Sequence, residues 1–138
     1  SWRPTDEWSA TLSGTILNAE FDELIEGGGL DRSGNRPPNS PEHLADLVVA
    51  YVPRALPLSF TGSVRHNGDF FTSNANDVKV GGFTLVDAAV SWEAPLGRLT
   101  LRGRNLTDEF YADWSGYASG LVFVGEPRSV ELSLSREF

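Results

Sequence analysis

The chain ends on the stretch VELSLSREF, residues 130–138, in which apolar and polar side chains alternate. Val130, Leu132, Leu134 and Phe138 occupy even positions, whereas glutamates and serines occupy the odd ones. Arg136 is a departure, since a charge stands where an apolar side chain would continue the pattern. Successive side chains of a β-strand point to opposite faces, so this period of two predicts a strand with one apolar and one polar face.

Five earlier stretches of the sequence repeat this alternation. They cover residues 8–16, 43–52, 58–67, 86–93 and 99–104. No segment shows the 3.6-residue period of an amphipathic helix. The longest uninterrupted apolar run, residues 47–52, is far shorter than the roughly 20 residues that a membrane-spanning helix needs. The sequence therefore predicts an all-β fold of six antiparallel strands in up-and-down order.

The connections between these stretches alternate in length. Short turns lie at residues 53–57 and 95–97, whereas the long connections include residues 22–41, 72–82 and 112–122. Short turns at one end of the strands and long loops at the other are typical of outer-membrane β-barrels. Within the third stretch, a bulge at Asn67 and Gly68 is predicted to carry the strand on to Phe70 and Phe71.

Aromatic side chains gather at the end of the strands where the short turns lie. Five of them share the apolar face there: Trp8, Tyr51, Phe60, Trp92 and Phe138. A row of aromatic rings at one depth is typical of a membrane interface, because an amphipathic ring is well accommodated among lipid headgroups.

A soluble protein could carry the same alternation, because sandwiches and lipocalin-like barrels also have one apolar face per strand. Six strands cannot close a transmembrane barrel, since the smallest have about eight. Two hypotheses remain: a segment of a larger transmembrane barrel, or a soluble or self-associating β-barrel or sheet that binds a small apolar ligand. They differ in whether six aliphatic side chains point outward to lipid or inward to a core: Leu47, Val49, Val86, Val90, Leu132 and Leu134.

Composition argues against several other functions. The formal net charge is −8, whereas a nucleic-acid partner would require a basic surface. There is no cysteine, so disulfides, thiolate metal sites and cysteine nucleophiles are excluded. The isolated residues His43 and His66 make a weak metal site. No nucleophile stands at a useful spacing from the carboxylates, so the sequence predicts no enzyme, no metal site and no cofactor.

Four motifs, in a fixed order, carry a resemblance to a known family. They are Gly34-Asn35-Arg36 with Pro38 and Pro41-Glu42-His43, then Gly82-Phe83-Thr84-Leu85-Val86-Asp87, then Asn105-Leu106-Thr107-Asp108 with Tyr111, and finally Gly125-Glu126-Pro127-Arg128 before the terminal Phe138. In this order and spacing, nearly the whole chain resembles the C-terminal end of TonB-dependent outer-membrane receptors, and in particular siderophore receptors.

This resemblance implies a segment of a 22-stranded transmembrane barrel in a Gram-negative outer membrane. Residues 1–138 would be its last six strands, with the plug domain and the N-terminal strands absent. The segment would not transport alone. It would work with the rest of the barrel and plug, or with other copies of the chain, in outer-membrane lipid. The intact receptor would depend on the TonB energy-coupling system and the barrel-assembly machinery to import a ferric siderophore or similar cargo. Val130, Leu132, Leu134 and Phe138 resemble the C-terminal signal that this machinery reads.

Two groups of site residues follow from the barrel hypothesis. The first should point into the lumen, where acids beside arginines would form ion pairs and contact the plug: Asp46, Arg65, Asp87, Arg102, Arg104 and Glu131. The second consists of aromatic residues on the long-loop, extracellular side, which would either contact the cargo or pack the loops: Phe70, Phe71, Tyr111, Trp114, Tyr117 and Phe123.

Overall fold

Six long strands form one antiparallel sheet in the computed structural model, which describes residues 1–116 and 121–136. The strands are β1 (Trp8–Ile16), β2 (His43–Tyr51), β3 (Leu58–Asn67), β4 (Phe83–Ala94), β5 (Gly97–Arg104) and β6 (Ser129–Ser135). Each strand pairs with the next one along the chain. The predicted all-β fold with six antiparallel up-and-down strands is therefore confirmed. No helix in the described part of the chain is long and apolar enough to cross a membrane.

The third strand ends at Asn67, so the predicted bulge that carries it on to Phe70 and Phe71 is wrong. Phe70–Phe71 instead leaves the sheet and pairs with Lys79–Val80. The strands on either side of β3 begin at His43 and Phe83. The backbone hydrogen bonds continue for one residue past Asn67, where the Gly68 N–H donates to the His43 oxygen at 2.8 Å. Neither neighbouring strand begins early enough to continue them further.

Each of the three long connections contains a small hairpin of its own, a feature that the alternation does not predict. The paired segments are Ile25–Glu26 with Leu30–Asp31, Phe70–Phe71 with Lys79–Val80, and Ala112–Ser115 with Val122–Val124. All three lie at the same end of the sheet, because β1, β3 and β5 run toward that end and β2, β4 and β6 run away from it. The short turns lie at the opposite end.

The strand register aligns side chains of one kind across the sheet. Leu12 stands opposite Leu47, Leu47 opposite Val64, and Val64 opposite Val86. Side chains of directly opposed residues lie on the same face, so these four form one aliphatic row. The two faces of the sheet are thus an apolar face and a polar face, as the alternation predicts.

The apolar face is not covered by any other part of the described chain. None of the six aliphatic side chains that distinguish the two hypotheses is buried, and Leu132 and Leu134 are 66% and 63% exposed. The buried aromatic side chains among the described residues are Phe70 and Phe83, which both lie at the long-loop end, and Pro53 is buried in a short turn at the other end. The sheet therefore has no hydrophobic interior of its own, which disfavours the small soluble barrel.

Candidate functional site

The polar face of the sheet carries charged residues that pair between neighbouring strands; we call this face the polar wall. Arg65 on β3 stands beside Asp46 on β2, with 3.0 Å between Nε and Oδ1. Arg104 on β5 lies 3.4 Å from the Glu131 carboxylate on β6. Because each pair joins two adjacent strands, these contacts link β2 to β3 and β5 to β6.

The other two charged residues predicted for this face, Asp87 and Arg102, form no ion pair within the described part of the chain. Asp87 Oδ1 accepts a hydrogen bond from the backbone N–H of Asn105 at 2.8 Å. Arg102 has no ion-pair partner among residues 1–116 and 121–136. The structure thus brings the predicted residues onto one face, but only four of the six form ion pairs with one another.

Arg36 joins the first two long loops. Its guanidinium lies 3.1 Å from the Glu42 carboxylate and 3.6 Å from that of Asp69. It also donates to the backbone oxygens of Ser40 and Asp69 at 3.0 and 3.1 Å, and its Cζ lies 5.2 Å from the centre of the Phe71 ring. Because a planar guanidinium can serve several acceptors and an aromatic face at once, one side chain connects both loops.

Asn39 makes the corresponding connection between the first and third loops. Its backbone adopts a left-handed conformation with φ of 55°. Its side chain accepts from the Ser115 backbone N–H at 2.7 Å and donates to the Ser115 backbone oxygen at 3.0 Å. Ser115 is 1% exposed, so these bonds satisfy polar groups that water does not reach.

The segment that joins β5 to β6 folds around Asn105, which is 3% exposed and has a φ of 47°. Its side-chain amide donates to the backbone oxygens of Glu109 and Glu126 at 2.9 and 3.1 Å. Its side-chain oxygen accepts from the Glu109 N–H at 2.8 Å. One buried amide therefore ties both ends of the long connection together.

Two further contacts complete this arrangement. Arg128 donates from its backbone N–H and its guanidinium to the Asp108 carboxylate at 3.3 and 3.2 Å. The Tyr111 ring packs on Phe83, with 4.3 Å between ring centres, and also lies against Gly125. We call Asn105, Asp108, Tyr111, Gly125 and Arg128 the closing clamp. It brings together two of the four sequence motifs, which are 20 residues apart.

A family comparison identifies the sheet that carries the polar wall. The family model described as "TonB dependent receptor-like, beta-barrel" matches residues 1–106. The chain belongs to the TonB-dependent receptor family. The apolar face is therefore the lipid-facing side of an outer-membrane β-barrel, and the polar wall faces its lumen.

Similar receptors cover nearly the whole chain. The ferrioxamine receptor of Yersinia enterocolitica is 26% identical over 141 residues, which is 97% of this chain and 19% of that protein. The siderophore receptor PiuA from Acinetobacter baumannii has a TM-score of 0.79 at 25% identity, covering 94% of this chain and 19% of its own. The ferric citrate transporter FecA, in its unliganded form, has a TM-score of 0.76 at 27% identity, covering 92% and 20%. The chain thus spans about one fifth of these receptors.

The aromatic residues predicted to contact cargo do not form one surface in this receptor segment. Phe70 is 1% exposed and packs inside the loops, and Phe71 lies against Arg36. Trp114 and Phe123 stack on each other with 4.2 Å between ring centres, and both are 43% exposed. Tyr117 lies outside the described residues. Trp114 and Phe123 are therefore the most accessible of the predicted residues that the structure describes.

An open cavity of about 400 Å³ lies beneath the loops on the lumen side. Its lining combines loop residues with residues of the polar wall: Asn39, Pro41, Leu44, Arg65, Asn67, Phe70, Phe83, Leu85, Tyr111 and Asp113. Burial and, to a smaller extent, the nearby Asp113 raise the pKa of the Tyr111 hydroxyl above its ordinary value of 10.0. Its hydroxyl is therefore neutral and able to donate a hydrogen bond at physiological pH.

The predicted membrane-interface row forms at the short-turn end of the receptor segment. Trp8 stacks on Tyr51, with 4.4 Å between ring centres, and Tyr51 stacks on Phe60 at 6.0 Å. Trp92 lies opposite Leu58 at the same end and is 46% exposed. Phe138 lies outside the described residues. Val130, Leu132 and Leu134 of the predicted assembly signal all lie on the lipid face.

Asn39 and Asn76 were not singled out from the sequence, although both connect loops. Asn76 donates to the Arg36 backbone oxygen at 2.9 Å and accepts from its N–H at 2.8 Å. The available signal was weak: asparagine tolerates the left-handed backbone that both residues adopt and forms side-chain bonds in turns. Nothing in the sequence, however, indicates which distant backbone group such a side chain will contact.

Asp69 makes the packing of the second loop sensitive to acid. Lys79 Nζ lies 2.7 Å from Asp69 Oδ2 and holds the pKa of Asp69 below its ordinary value of 3.8, which outweighs the opposing effect of burial. A lowered pKa in the folded state stabilises the loop above the unfolded pKa, and this contribution is lost as pH falls through the folded pKa.

We therefore expect D69N to speed hydrogen exchange in the hairpin of Phe70–Phe71 and Lys79–Val80. The difference from wild type should persist from pH 5 to 7 and vanish once the pH falls well below about 3.8. Comparing both proteins at each pH cancels the intrinsic pH dependence of exchange. In the D69N background, K79Q should add little; a large additional effect would contradict the assigned ion pair.

Proposed function

We propose that residues 1–138 form the last six strands of a receptor barrel that imports a ferric siderophore or a comparable cargo across the outer membrane. The remaining strands and the plug domain would belong to the rest of the receptor. Transport would require the complete barrel, the plug and the TonB energy-coupling system. The segment alone would bind neither cofactor nor metal and would catalyse no reaction.

The proposal rests on the polarity of the sheet, which is the reverse of that in a soluble protein: the apolar side is uncovered and the polar side would face the interior of the barrel. Its aliphatic side is uncovered, and its opposite side carries ion pairs and hydroxyl groups. Backbone hydrogen bonds also begin on the free edge of β1, where Trp2 and Ala10 exchange two N–H···O bonds of 2.8 Å. This bridge supports a further strand beside β1, as a larger barrel requires, because an unpaired strand edge is not tolerated in lipid.

The cargo would meet the receptor on the long-loop side. Trp114 and Phe123 offer an exposed stacked pair, and the cavity beneath the loops offers polar groups and aromatic rings together. Such a surface suits a siderophore, whose aromatic or amide groups could stack and accept hydrogen bonds. On the opposite side, the terminal apolar row would be read by the barrel-assembly machinery.

Uptake assays test the function directly. The full-length receptor would be expressed in a Gram-negative strain that lacks its own siderophore receptors. The probes would be a panel of radiolabelled ferric siderophores of the hydroxamate, catecholate and carboxylate types, with ferrioxamine and ferrichrome among them. We expect accumulation of iron from at least one ferric siderophore of a hydroxamate, catecholate or carboxylate panel, and no accumulation in an otherwise identical strain without TonB. A receptor that is folded in the outer membrane but imports none of the panel would overturn the proposal.

The lipid-facing assignment predicts a strong asymmetry between neighbouring residues of β5. Leu101 points to lipid and Thr100 to the lumen. We expect L101R to destabilise the receptor by about 2–4 kcal/mol if the residue lies near the bilayer midplane, and T100R to cost much less. Urea unfolding of the full-length receptor in liposomes would measure both. Equal costs for the two substitutions would contradict the orientation of the sheet.

A further inference from the structure

Arg102 is a cation of the polar wall that no carboxylate of the described sheet neutralises. The arginines around it are all paired: Arg65 with Asp46, Arg98 with Glu93, and Arg104 with Glu131. Glu131 stands directly opposite Arg102 in the strand register, yet its carboxylate is bound by Arg104 instead.

Asp87, the remaining acid on this part of the wall, does not neutralise Arg102 either. One of its carboxylate oxygens is held by the backbone N–H of Asn105 at 2.8 Å, and no guanidinium within the described residues lies within 4.0 Å of it. The closing clamp therefore fixes Asp87 toward the loop end. The guanidinium of Arg102 keeps its hydrogen-bond donors available to a group from outside the sheet.

The surroundings of Arg102 form a groove that is suited to a polar side chain. The groove encloses about 420 Å³ on the lumen side of β3, β4 and β5. Besides Arg102, its lining includes the charged residues Asp87, Arg98 and Arg104 and four hydroxyl groups: Thr61, Ser63, Ser91 and Thr100. Ser91 and Thr100 hydrogen-bond to each other at 2.9 Å, so their side chains are already oriented. No aliphatic side chain larger than alanine lines it.

Physical chemistry selects the kind of group that fits. An arginine facing a filled lumen loses its hydration, and this cost is recovered only when a counter-charge with good geometry takes the place of water. A carboxylate matches the planar guanidinium with two parallel hydrogen bonds. Asp87 lines the same groove, but its carboxylate lies more than 4.0 Å from every guanidinium of the described residues. The counter-charge for Arg102 is therefore expected from the material that fills the barrel.

We propose that Arg102 docks an Asp or Glu side chain of the receptor's own plug domain, so that this groove is a plug-docking site on the lumen wall. The inference rests on the proposed function, because the plug is part of the proposed receptor. It adds the location of the contact and the chemistry of the group that makes it.

The contact can be trapped with a carbodiimide in the full-length receptor that carries R102K. The reagent adds to a carboxyl group to form an O-acylisourea. The lysine at position 102, in its deprotonated amine form, attacks the activated carbonyl carbon; the C–O bond to the reagent breaks, the reagent leaves as a urea, and the nitrogen loses a proton as the amide forms. We expect mass spectrometry to show a covalent link between the peptide containing position 102 and an acidic residue of the plug. The matched control is R65K, which should link to Asp46 on the adjacent strand.

Hydrogen exchange provides a second measurement that does not need a lysine. We expect R102Q to speed exchange in the plug segment found by cross-linking by roughly tenfold, since one member of an enclosed charge pair is lost. R65Q, which removes a pair internal to the wall, should leave that segment unchanged. Replacing the linked plug acid by its amide should reproduce the R102Q effect, and the double variant should show no further increase.

Three outcomes would overturn the proposal. They are a link from R102K only to Glu131 or Asp87, the absence of any link while R65K still reaches Asp46, or plug exchange that R102Q does not alter. None of these readouts involves cargo or TonB. A failure of siderophore uptake by the wild-type receptor would instead count against the proposed function and leave the docking result intact.

Discussion

N105A is expected to destabilise the full-length receptor by about 3–5 kcal/mol. The substitution leaves the Glu109 N–H and the backbone oxygens of Glu109 and Glu126 without the side chain that binds them, and an unsatisfied buried group costs about 1–3 kcal/mol. Alanine would also have to adopt the φ of 47° found at Asn105, at roughly 1–2 kcal/mol. Urea unfolding in liposomes measures the loss.

Two further variants of Asn105 separate these contributions. N105G removes the same hydrogen bonds but accepts the left-handed backbone, so it should be less damaging than N105A. N105D keeps the acceptor for the Glu109 N–H but loses both donors, and it places a carboxylate beside two backbone oxygens. We expect N105D to fall between wild type and N105A in neutral buffer. If N105G and N105A were both equal to wild type, the buried amide would have no role in stability.

G125A is expected to reduce the amount of folded receptor as severely as the loss of a large buried side chain. A methyl group at this position would lie 1.9 Å from Cζ of the Tyr111 ring, so the ring would have to leave its site. The half-buried Tyr111 ring would then lose its packing on the buried Phe83, and truncating a fully buried aromatic residue, which sets the upper bound, costs about 3–5 kcal/mol. Heat-modifiable migration in gels and urea unfolding would report the loss.

A double variant tests whether the clash with Tyr111 is the cause. In a Y111A background the space is free, so adding G125A should cost little, and the two effects should be strongly non-additive. G81A is the matched control, because no heavy atom lies within 4 Å of the methyl position at Gly81. If G81A lost as much folded receptor as G125A, the effect would come from replacing a glycine as such and not from the clash with Tyr111.

The closing clamp gives a physical explanation of two of the four motifs that carry the resemblance to the family. Asn105 and Asp108 both have positive φ, a conformation that asparagine and aspartate tolerate because short polar side chains can hydrogen-bond locally. Gly125 is the residue on which the Tyr111 ring lies. The motifs thus specify one tight packing arrangement, which positions the last strand beside β5. Their similarity to other receptors does not by itself make them cargo contacts.

The three long loops, by contrast, contain side chains that join one loop to another as well as aromatic rings that remain exposed. Arg36 and Asn39 link the first loop to the second and third, so these loops should move together rather than one at a time. Trp114 and Phe123 remain exposed within this linked arrangement. A loop set that is already connected has less conformational entropy to lose when it binds.

Each of the six long strands was predictable, because membrane strands must show an apolar side chain at every second position regardless of their neighbours. The same alternation placed Asp46, Arg65 and Glu131 on one face. Residues whose role is set by local periodicity could thus be read from the sequence alone. The end of β3 could not be predicted, because it depends on where the neighbouring strands begin.

The sequence by itself determined the number of long strands, their two faces and the aromatic row, since these follow from a two-residue period that each long strand carries within itself. Only the tertiary structure decided which arginine of the polar wall has no ion-pair partner among the described residues, which asparagines join the loops, and that Phe70 is enclosed rather than exposed. The physical reason is that these properties depend on distances between side chains far apart in the chain, such as Asn39 and Ser115, and on competition between Arg102 and Arg104 for one carboxylate.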